Sequence, residues 1–396
     1  MTHYAVIGAA GIQARGTVLD LLEFGDADDR LLLLDLDEDA VRRRAEEFDD
    51  PRVSSGSFDV LDHAGSVRAL DGVDLMIAAS PSPTFPRAME IAIDARCHYV
   101  DMGSDYRSSR AQMERADAAR DAGVVALLSS GSAPGLSNMM AKAAVERLDT
   151  IHSIDITVVM NDLTPRSSPF HWPFALDAII DEYTLPAGRI VDGAEQSVPP
   201  RTGEWVEFPE PIGRVFPIYT THPEQYTLFD TYRERGLKNT SFRIALPRQF
   251  HEKMNFLAEI GVAAQDPVSV NGVSVTPKDF LLAVTRGLPR GNEQEQQFSG
   301  TRVEVSGERG GSVRHYVVDM VTGSHARWNV PAGMLKTCVP PAIMAQMIAA
   351  GSIATPGVWM PEETVDVSEF FTELARRGMA VAIEEKEMLH RIHSGK

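Results

Sequence analysis

The chain has 396 residues, 43% of them hydrophobic and 24% charged, and a formal net charge of -18. That length accommodates two domains with cores of their own, and the acidity argues against nucleic acid or anionic membrane as a partner. Its two cysteines, Cys97 and Cys338, exclude a disulfide framework and a zinc ribbon and point to a reducing compartment.

The first predicted element is a strand over 4–7, which runs into Gly8-Ala9-Ala10-Gly11-Ile12-Gln13-Ala14-Arg15-Gly16 and then a helix bearing Val18, Leu19 and Leu22 on one face. Strand, tight turn and helix in that order open a dinucleotide-binding unit. Gly8 permits the turn, and Ala10 and Gly11 let backbone approach a pyrophosphate. The helix start at Ile12 and Gln13 offers unpaired N–H groups. The spacing reads G-x-x-G-x-x-A rather than G-x-G-x-x-G. Because the chain enters a strand at once, no signal peptide is expected. No apolar run approaches membrane-spanning length, so the expectation is a soluble, cytoplasmic protein without a membrane partner.

The second strand, Leu31-Leu32-Leu33-Leu34, ends in Asp35 and Leu36. A carboxylate there accepts bonds from the adenosine ribose hydroxyls and repels a 2′-phosphate. With no Arg directly after it, the pattern favours NAD over NADP. A helix over 38–48 and a strand over 53–60 follow, placing Asp59 and Val60 beside the adenine, although Asp59 could equally cap a helix. Asp62 is expected to cap the helix through 70.

The fourth strand, 73–79, breaks at Ser80-Pro81-Ser82-Pro83, because proline cannot donate to a ladder. Ligands bind at the carboxyl ends of parallel strands, which sets Ala79, Ser80 and Pro81 against the cofactor. A helix over 84–95, a strand at His98-Tyr99-Val100-Asp101, a helix over 108–122 capped by Gly123, and a strand over 124–128 complete the alternation. Met102 and Gly103, just past the fifth strand, join the cofactor candidates. This rhythm predicts an α/β Rossmann fold, a doubly wound parallel sheet.

The run 129–138 is dense in small, turn-forming residues and reads as the crossing into a second domain. A helix over 137–148 follows. From 151 the pattern turns to period two, with short strands at 189–191, 205–208 and 215–220 and a hairpin over 268–275 through Asn271-Gly272. A strand pair at 302–307 and 312–321 is interleaved with helices at 174–183, 224–235 and 249–260. The prediction is an α+β domain on a mixed or antiparallel sheet. Past Lys336 a helix is expected over 340–350, with Ile343, Met347 and Ile348 as its core face, then a last helix over 369–377. The nucleotide domain is thus drawn as 1–133 with 337–396, and the α+β domain as 134–336.

Four stretches carry a family resemblance: the front motif, His98-Tyr99-Val100-Asp101, Gly131-Ser132-Ala133-Pro134-Gly135-Leu136-Ser137-Asn138, and the tail 357–362 with Phe371, Leu374 and Arg377-Gly378. Together they resemble the saccharopine dehydrogenase/saccharopine reductase superfamily, including lysine 6-dehydrogenases, over essentially the whole chain. The middle stretch is the most specific, and its Ala133 and Pro134 are candidate cofactor contacts. The resemblance implies a Rossmann domain completed by the C-terminal segment, and an α+β domain carrying substrate contacts and a homodimer interface. It also implies hydride transfer between NAD(P) and a carbon bearing nitrogen, by way of an imine. Two departures stand out. Saccharopine reductases carry Asp before the Pro-Gly of the middle motif, where this chain has Ala133 as lysine-dehydrogenase-like members do. Those members in turn show Gly-Leu-Arg where this chain has Thr221-His222-Pro223-Glu224-Gln225, so the pocket matches neither.

Chemistry at a C–N bond needs a cation for the substrate carboxylate, a proton-transfer group and a dry face against the nicotinamide. Arg243 lies at the position of an Arg on the corresponding family strand, and its fork suits a carboxylate, the alternative being a surface salt bridge. A histidine suits proton transfer near neutral pH, which makes His171 and His222 candidates unless they are structural. Asp101 ends a strand on the ligand side, as an orienter or a helix cap. Cys338 reads as either a low-pKa thiol or an inert buried one. No His/Asp/Glu cluster has metal spacing, and nothing resembles a nucleophile elbow. The expected activity is NAD-dependent oxidoreduction of an amino acid or opine-like secondary amine. The alternatives are reduction of another cyclic or exogenous imine on the same scaffold, and a catalytically silent NAD-binding scaffold or sensor.

Overall fold

The computed structural model describes residues 1–164, 168, 170–172, 175–288 and 296–386. The chain opens with β1 (His3–Ile7), α1 (Ile12–Phe24), β2 (Arg30–Asp35), α2 (Glu38–Glu46), β3 (Val53–Ser57), α3 (His63–Ala69), β4 (Leu75–Ala78), α4 (Phe85–Asp94), β5 (His98–Asp101), α5 (Tyr106–Met113), α6 (Ala116–Ala122), β6 (Val125–Leu127) and α7 (Leu136–Val145). It continues with β7 (Thr150–Asp162), α8 (Leu176–Thr184), β8 (Ala187–Val191), β9 (Ala194–Val198), β10 (Val206–Glu207), β11 (Arg214–Val215), β12 (Ile218–Tyr219), α9 (Glu224–Tyr232), β13 (Asn239–Ala245) and α10 (Arg248–Glu259). Then come β14 (Val268–Val270), β15 (Val273–Val275), α11 (Pro277–Arg286), β16 (Gln297–Arg309), β17 (Ser312–Gly323), α12 (Ala332–Ala349), β18 (Gly357–Trp359), α13 (Pro361–Thr364), α14 (Val367–Arg376) and β19 (Val381–Lys386).

Two compact units result. The first takes 1–146, 222–231 and 325–381, and the second takes 147–221, 232–324 and the chain from 382. Relative to boundaries drawn at 133 and 337, α7 and the first turn of α12 stand with the first unit. The reason is visible in α7, whose residues Leu136 to Ala141 are all buried and whose Asn138 bonds the tail at Glu362.

The first unit is built on a seven-stranded sheet in the order β18-β6-β5-β4-β1-β2-β3, with every pairing parallel. Its inner strands read as apolar runs because both faces are covered. Tyr4 to Ile7 and Leu75 to Ala78 are buried throughout. The chain leaves β1 toward β2 on one side and β4 on the other, which creates the switch point where such sheets take ligands. The tail supplies β18 and α12, and α12 packs against α1 so closely that a Cβ on Gly16 would stand 2.3 Å from Cys338 Sγ. Arg377, past α14, donates to both carboxylate oxygens of Asp20 on α1, at 2.7 and 3.0 Å, in a fully buried pair.

Three local expectations are corrected. The helix expected over 108–122 is two, α5 and α6, broken at Glu114-Arg115, and α5 starts earlier because Asp105 caps it through Ser108 N. The strand expected to reach 60 stops at Ser57. The helix expected to begin at Pro340 begins at Ala332 and carries Pro340 and Pro341 inside it. A proline favours a helix start, but both are buried here, and packing offsets the N–H donors they lack.

The second unit holds an eight-stranded sheet, β19-β17-β16-β7-β13-β8-β9 with β12 also on β13. Only the β13–β7 pairing among those described is parallel, so the sheet is mixed. β14 and β15 form the Asn-Gly hairpin, with Asn271 at φ 51 and Gly272 at φ 83. Side chains alternate across the sheet. In register, Ile156, Phe242, Val303 and Val318 share one face, and the other carries Asp155, Ser241, Glu304 and, one pair further along, Thr157, Arg243, Arg302 and Asp319.

Candidate functional site

The cofactor candidates lie at the ends of the first six strands of the first unit and in the turns after them. Gly8 sits at φ 71, and a Cβ there would lie 2.7 Å from Ser80 N, so only glycine lets the first turn approach the end of β4. Gly11 N bonds Gly8 O, closing the turn into α1. Gly11 caps α1 without a side-chain acceptor, which leaves the N–H groups at the helix start facing outward beside exposed Gly11, Ile12 and Gln13. That is a ready anion site for a pyrophosphate. Asp35, at the end of β2, accepts from Ala10 N at 3.0 Å and Asp37 N at 3.2 Å, so its carboxylate is fixed against the glycine-rich turn. The recess beside it, about 650 Å³, is lined by Asp35, Leu36, Asp37, Glu38 and Asp39. A dinucleotide fits this cradle: close backbone, an open helix start and an acid at the ribose position.

The remaining cofactor candidates vary in access. Ala79 and Ser80 are half-buried and Pro81 is exposed, with Ser80 Oγ bonded to Thr84 Oγ1. Val60 is half-buried, and Asp59 turns its carboxylate to Leu61 N while its carbonyl takes the Ser66 hydroxyl. Asp59 therefore shapes the entry to α3. Met102, Gly103 and Pro134 are buried, and Ala133 is half-buried.

Asp101 is neither open nor a cap. It is fully buried and accepts from Gly103 N, Ser129 N and Gln112 Nε2 at 2.9, 2.7 and 2.8 Å. Burial pushes its carboxyl up, against those donors, which pull it down. Its effect is to tie the turn after β5 to the turn after β6, the beginning of the middle motif. That motif folds back on itself: a Cβ on Gly135, at φ 123, would fall 2.4 Å from Gly131 O.

Behind the motif lies a chain of buried polar groups. Glu224, the first residue of α9, accepts from Ser137 Oγ at 2.9 Å and pairs with His222 Nδ1. Asn138 Nδ2 donates to Glu362 Oε2 at 2.9 Å, and its own Oδ1 accepts from Gly135 N. Burial pushes Glu362 up to about 7. On α12, burial pulls the fully buried Lys336 amine down to about 7. Tyr106 stacks on Tyr226 with ring centroids 5.0 Å apart and donates to Asp230. Both cysteines are buried and their thiols pushed up, so Cys338 is the inert thiol. No group of three or more metal-ligating side chains occurs among the described residues.

Two family models cover this chain almost end to end. The saccharopine dehydrogenase NADP binding domain matches residues 4–127, and the saccharopine dehydrogenase C-terminal domain matches residues 131–379. The chain belongs to the saccharopine dehydrogenase family. Among curated proteins it is similar to carboxyaminopropylagmatine dehydrogenase from Synechocystis sp., at 24% identity over 346 residues, covering 83% of this chain and 84% of that protein. Among solved structures it is similar to apo saccharopine dehydrogenase (L-Glu forming) from Saccharomyces cerevisiae, with a TM-score of 0.78 at 15% identity, covering 98% of this chain and 100% of that one. As in a saccharopine dehydrogenase, a Rossmann sheet is joined to a second, mixed-sheet unit, and the chain is a dehydrogenase-type oxidoreductase by family. No described helix is long and apolar enough to cross a membrane.

The proposed catalytic residues are divided between the units. Asp101 and His222 belong to the first, and His171 and Arg243 to the second. His171 is half-buried, with Nε2 3.9 Å from Asp162 Oδ2. Arg243 is not an open guanidinium. It is 6% exposed, donates from Nη1 to Glu204 at 2.8 Å, lies 3.7 Å from Glu304 Oε2, and stands over the Tyr219 ring. Sequence reasoning missed Ser137, Asn138, Glu224 and Glu362 as a network, although all four fall in stretches it singled out. A polar residue inside an otherwise apolar helix run, as at Ser137-Asn138, was the available signal.

Proposed function

We propose that this saccharopine dehydrogenase family member is an NAD(H)-dependent oxidoreductase acting at a C–N bond of an amino acid or opine-like secondary amine. The observation that carries the cofactor choice is the wall of four carboxylates, Asp35, Asp37, Glu38 and Asp39, at the ribose end of the cradle, which outnumber the two cations beside them, Arg42 on Asp39 and Arg44 on Ala10 O, and disfavour a 2′-phosphate. The matching family domain is described as NADP binding, and the acidic wall is what supports reading this chain as NAD-dependent. The bound nicotinamide supplies the hydride exchange. The reaction class is supported by relatives that are dehydrogenases of saccharopine and of carboxyaminopropylagmatine.

The chain's own part is positional. Ser137 and Glu224 orient His222, whose imidazole moves the proton at the substrate nitrogen. Asp101 holds the two turns that form the floor of the site. Arg243 anchors the substrate carboxylate, as a planar fork does best, and the second unit forms the homodimer contact. A single measurement tests the reaction: NADH oxidation with an amine plus a keto acid, or NADH formation from lysine-like amino acids. Activity should disappear when the substrate carboxylate is amidated. Arg243→Ala should lower kcat/KM by roughly 3 kcal/mol, the scale of a lost charged hydrogen bond, with NADH affinity unchanged. Turnover of neutral alcohols or sugars alone would overturn the reaction class.

A further inference from the structure

Arg243 is placed as few buried arginines are. A guanidinium carries five donors, yet among the described contacts this one makes a single hydrogen bond, to Glu204, with Glu304 Oε2 at 3.7 Å from Nη2, and its buried Nε has no partner. Leaving donors unmade in a buried site is costly. A second arginine repeats the pattern: Arg189, on β8, also has a buried Nε without a partner and stands 5.6 Å from the Tyr219 ring centroid, with Arg243 at 5.8 Å from the same ring. Both cations thus share one aromatic side chain. A recess of about 410 Å³ opens beside Arg189, Ser197, Thr202, Glu204 and Tyr219; Arg243 is not on its wall and meets it through Glu204.

Glu204 is unlike its neighbours. Its backbone is held, because Gly203 bridges Ile218 and Tyr219 N bonds Thr202 O at 2.9 Å. A Cβ on Gly203 would stand 2.2 Å from Pro217 O, so the loop lies flat against the strand before β12. Its side chain, in contrast, is 69% exposed while that of the Arg243 it meets is 7% exposed. A carboxylate tethered by a fixed backbone, free at its stem and seated on a buried guanidinium is an internal copy of a carboxylate ligand.

We infer that Glu204 is a resident surrogate for the substrate's carboxylate, and that a ligand carboxylate displaces it to bind between Arg243 and Arg189 over Tyr219. The exchange moves no proton and breaks no covalent bond. It replaces a single hydrogen bond from Arg243 with a two-point contact that uses the orphan donors. The displaced Glu204 side chain swings into solvent, where its charge is hydrated. Glu204 therefore sets a threshold: weak carboxylates do not displace it, and a dicarboxylate or amino acid that reaches both arginines does. This rests on the reading of Arg243 as the substrate anchor.

The test is calorimetric titration of the full chain with glutarate, which carries carboxylates and no amine, against glutaramide as the uncharged control. Glu204→Gln is expected to bind glutarate at least tenfold more tightly than the wild type, and Arg189→Gln added to it should return most of that gain. Circular dichroism and thermal midpoints establish that both variants fold, and a purely structural Glu204 would lower the midpoint without tightening the ligand. Unchanged or weaker glutarate binding by Glu204→Gln, or equal binding of glutaramide, overturns the inference. Calorimetry needs neither cofactor nor turnover. The expected binding pattern in a protein without amine turnover upholds the clamp and sinks the reaction, whereas amine turnover with no gain in Glu204→Gln does the reverse.

Discussion

The two units treat buried charge in opposite ways. In the first, Asp20, Asp101, Glu224 and Glu362 are all buried, and each is met by donors from other parts of the chain. In the second, Arg243 is also buried, but its one described hydrogen bond goes to an exposed partner, Glu204, and its second carboxylate, Glu304, stands 3.7 Å away. A satisfied network is rigid, and removing one member strands the rest. An under-satisfied cation is ready to exchange partners. The first unit's network thus fixes the turns around Asp101 and the middle motif in one shape, whereas the exchange proposed for Arg243 needs a cation whose partner can leave.

That contrast is most easily broken at Asp20 and Arg377. Asp20→Ala leaves a buried guanidinium beside Phe24 without its buried carboxylate, with Glu373 and Gln346 as its remaining acceptors, and should cost about 3 kcal/mol. The double variant Asp20→Leu with Arg377→Met should recover much of that loss, because an apolar pair needs no partner. Chemical denaturation of the three proteins decides it, and equal losses in the single and double variants would show that the pair is not what holds α1 to the tail.

The next test uses pH. Burial raises Glu362 from 4.5 to about 7, so the folded state holds its proton where the unfolded state has released it. The stability it contributes is full below pH 4.5 and is lost as pH rises through 7, a change of about 3 kcal/mol at 1.36 kcal/mol per pH unit. Glu362→Gln keeps an acceptor for Asn138 and a donor for the Thr231 hydroxyl. Its stability relative to wild type should therefore grow between pH 4.5 and 7 and then level off, measured by denaturation at each pH. A flat difference would mean the carboxyl is not held neutral.

The smallest effect sharpens the cofactor choice. Asp35→Ala removes the acceptor for Ala10 N and one charge from the acidic wall. NADH should weaken and NADPH gain relative to it by about 1.4 kcal/mol, a tenfold change in the ratio of dissociation constants. Wild type binding NADPH tenfold more tightly than NADH would reverse the assignment.

The front of the chain was legible because its signals are local. A run such as Leu31 to Leu34 must be a buried parallel strand, and Asp62, Gly123 and Asn271-Gly272 each act within three residues of themselves. α12 was misjudged because its start depends on burial, which proline rules do not contain. The site was less legible for a related reason. Arg243 shows in the sequence as a cation on a strand, but Glu204 and Glu304 reach it from 39 and 61 positions away. Asp101 likewise reads as an open strand end until Gln112 and Ser129 fold over it. Pairing distance, not residue type, separated the visible from the hidden.

The contact between Gly16 and Cys338 makes the first unit its own stopwatch. A thiol pressed against a helix glycine, with no solvent exposure, reacts with a disulfide reagent only in the moments when α1 and α12 part. The rate of labelling at Cys338, followed in a Cys97→Ser background because Cys97 is equally buried and free, thus counts openings. Any ligand that binds the closed form slows it by the factor one plus ligand concentration over Kd. Nucleotide affinity can then be read from a chemical modification rate, with no substrate in the tube and no turnover to follow.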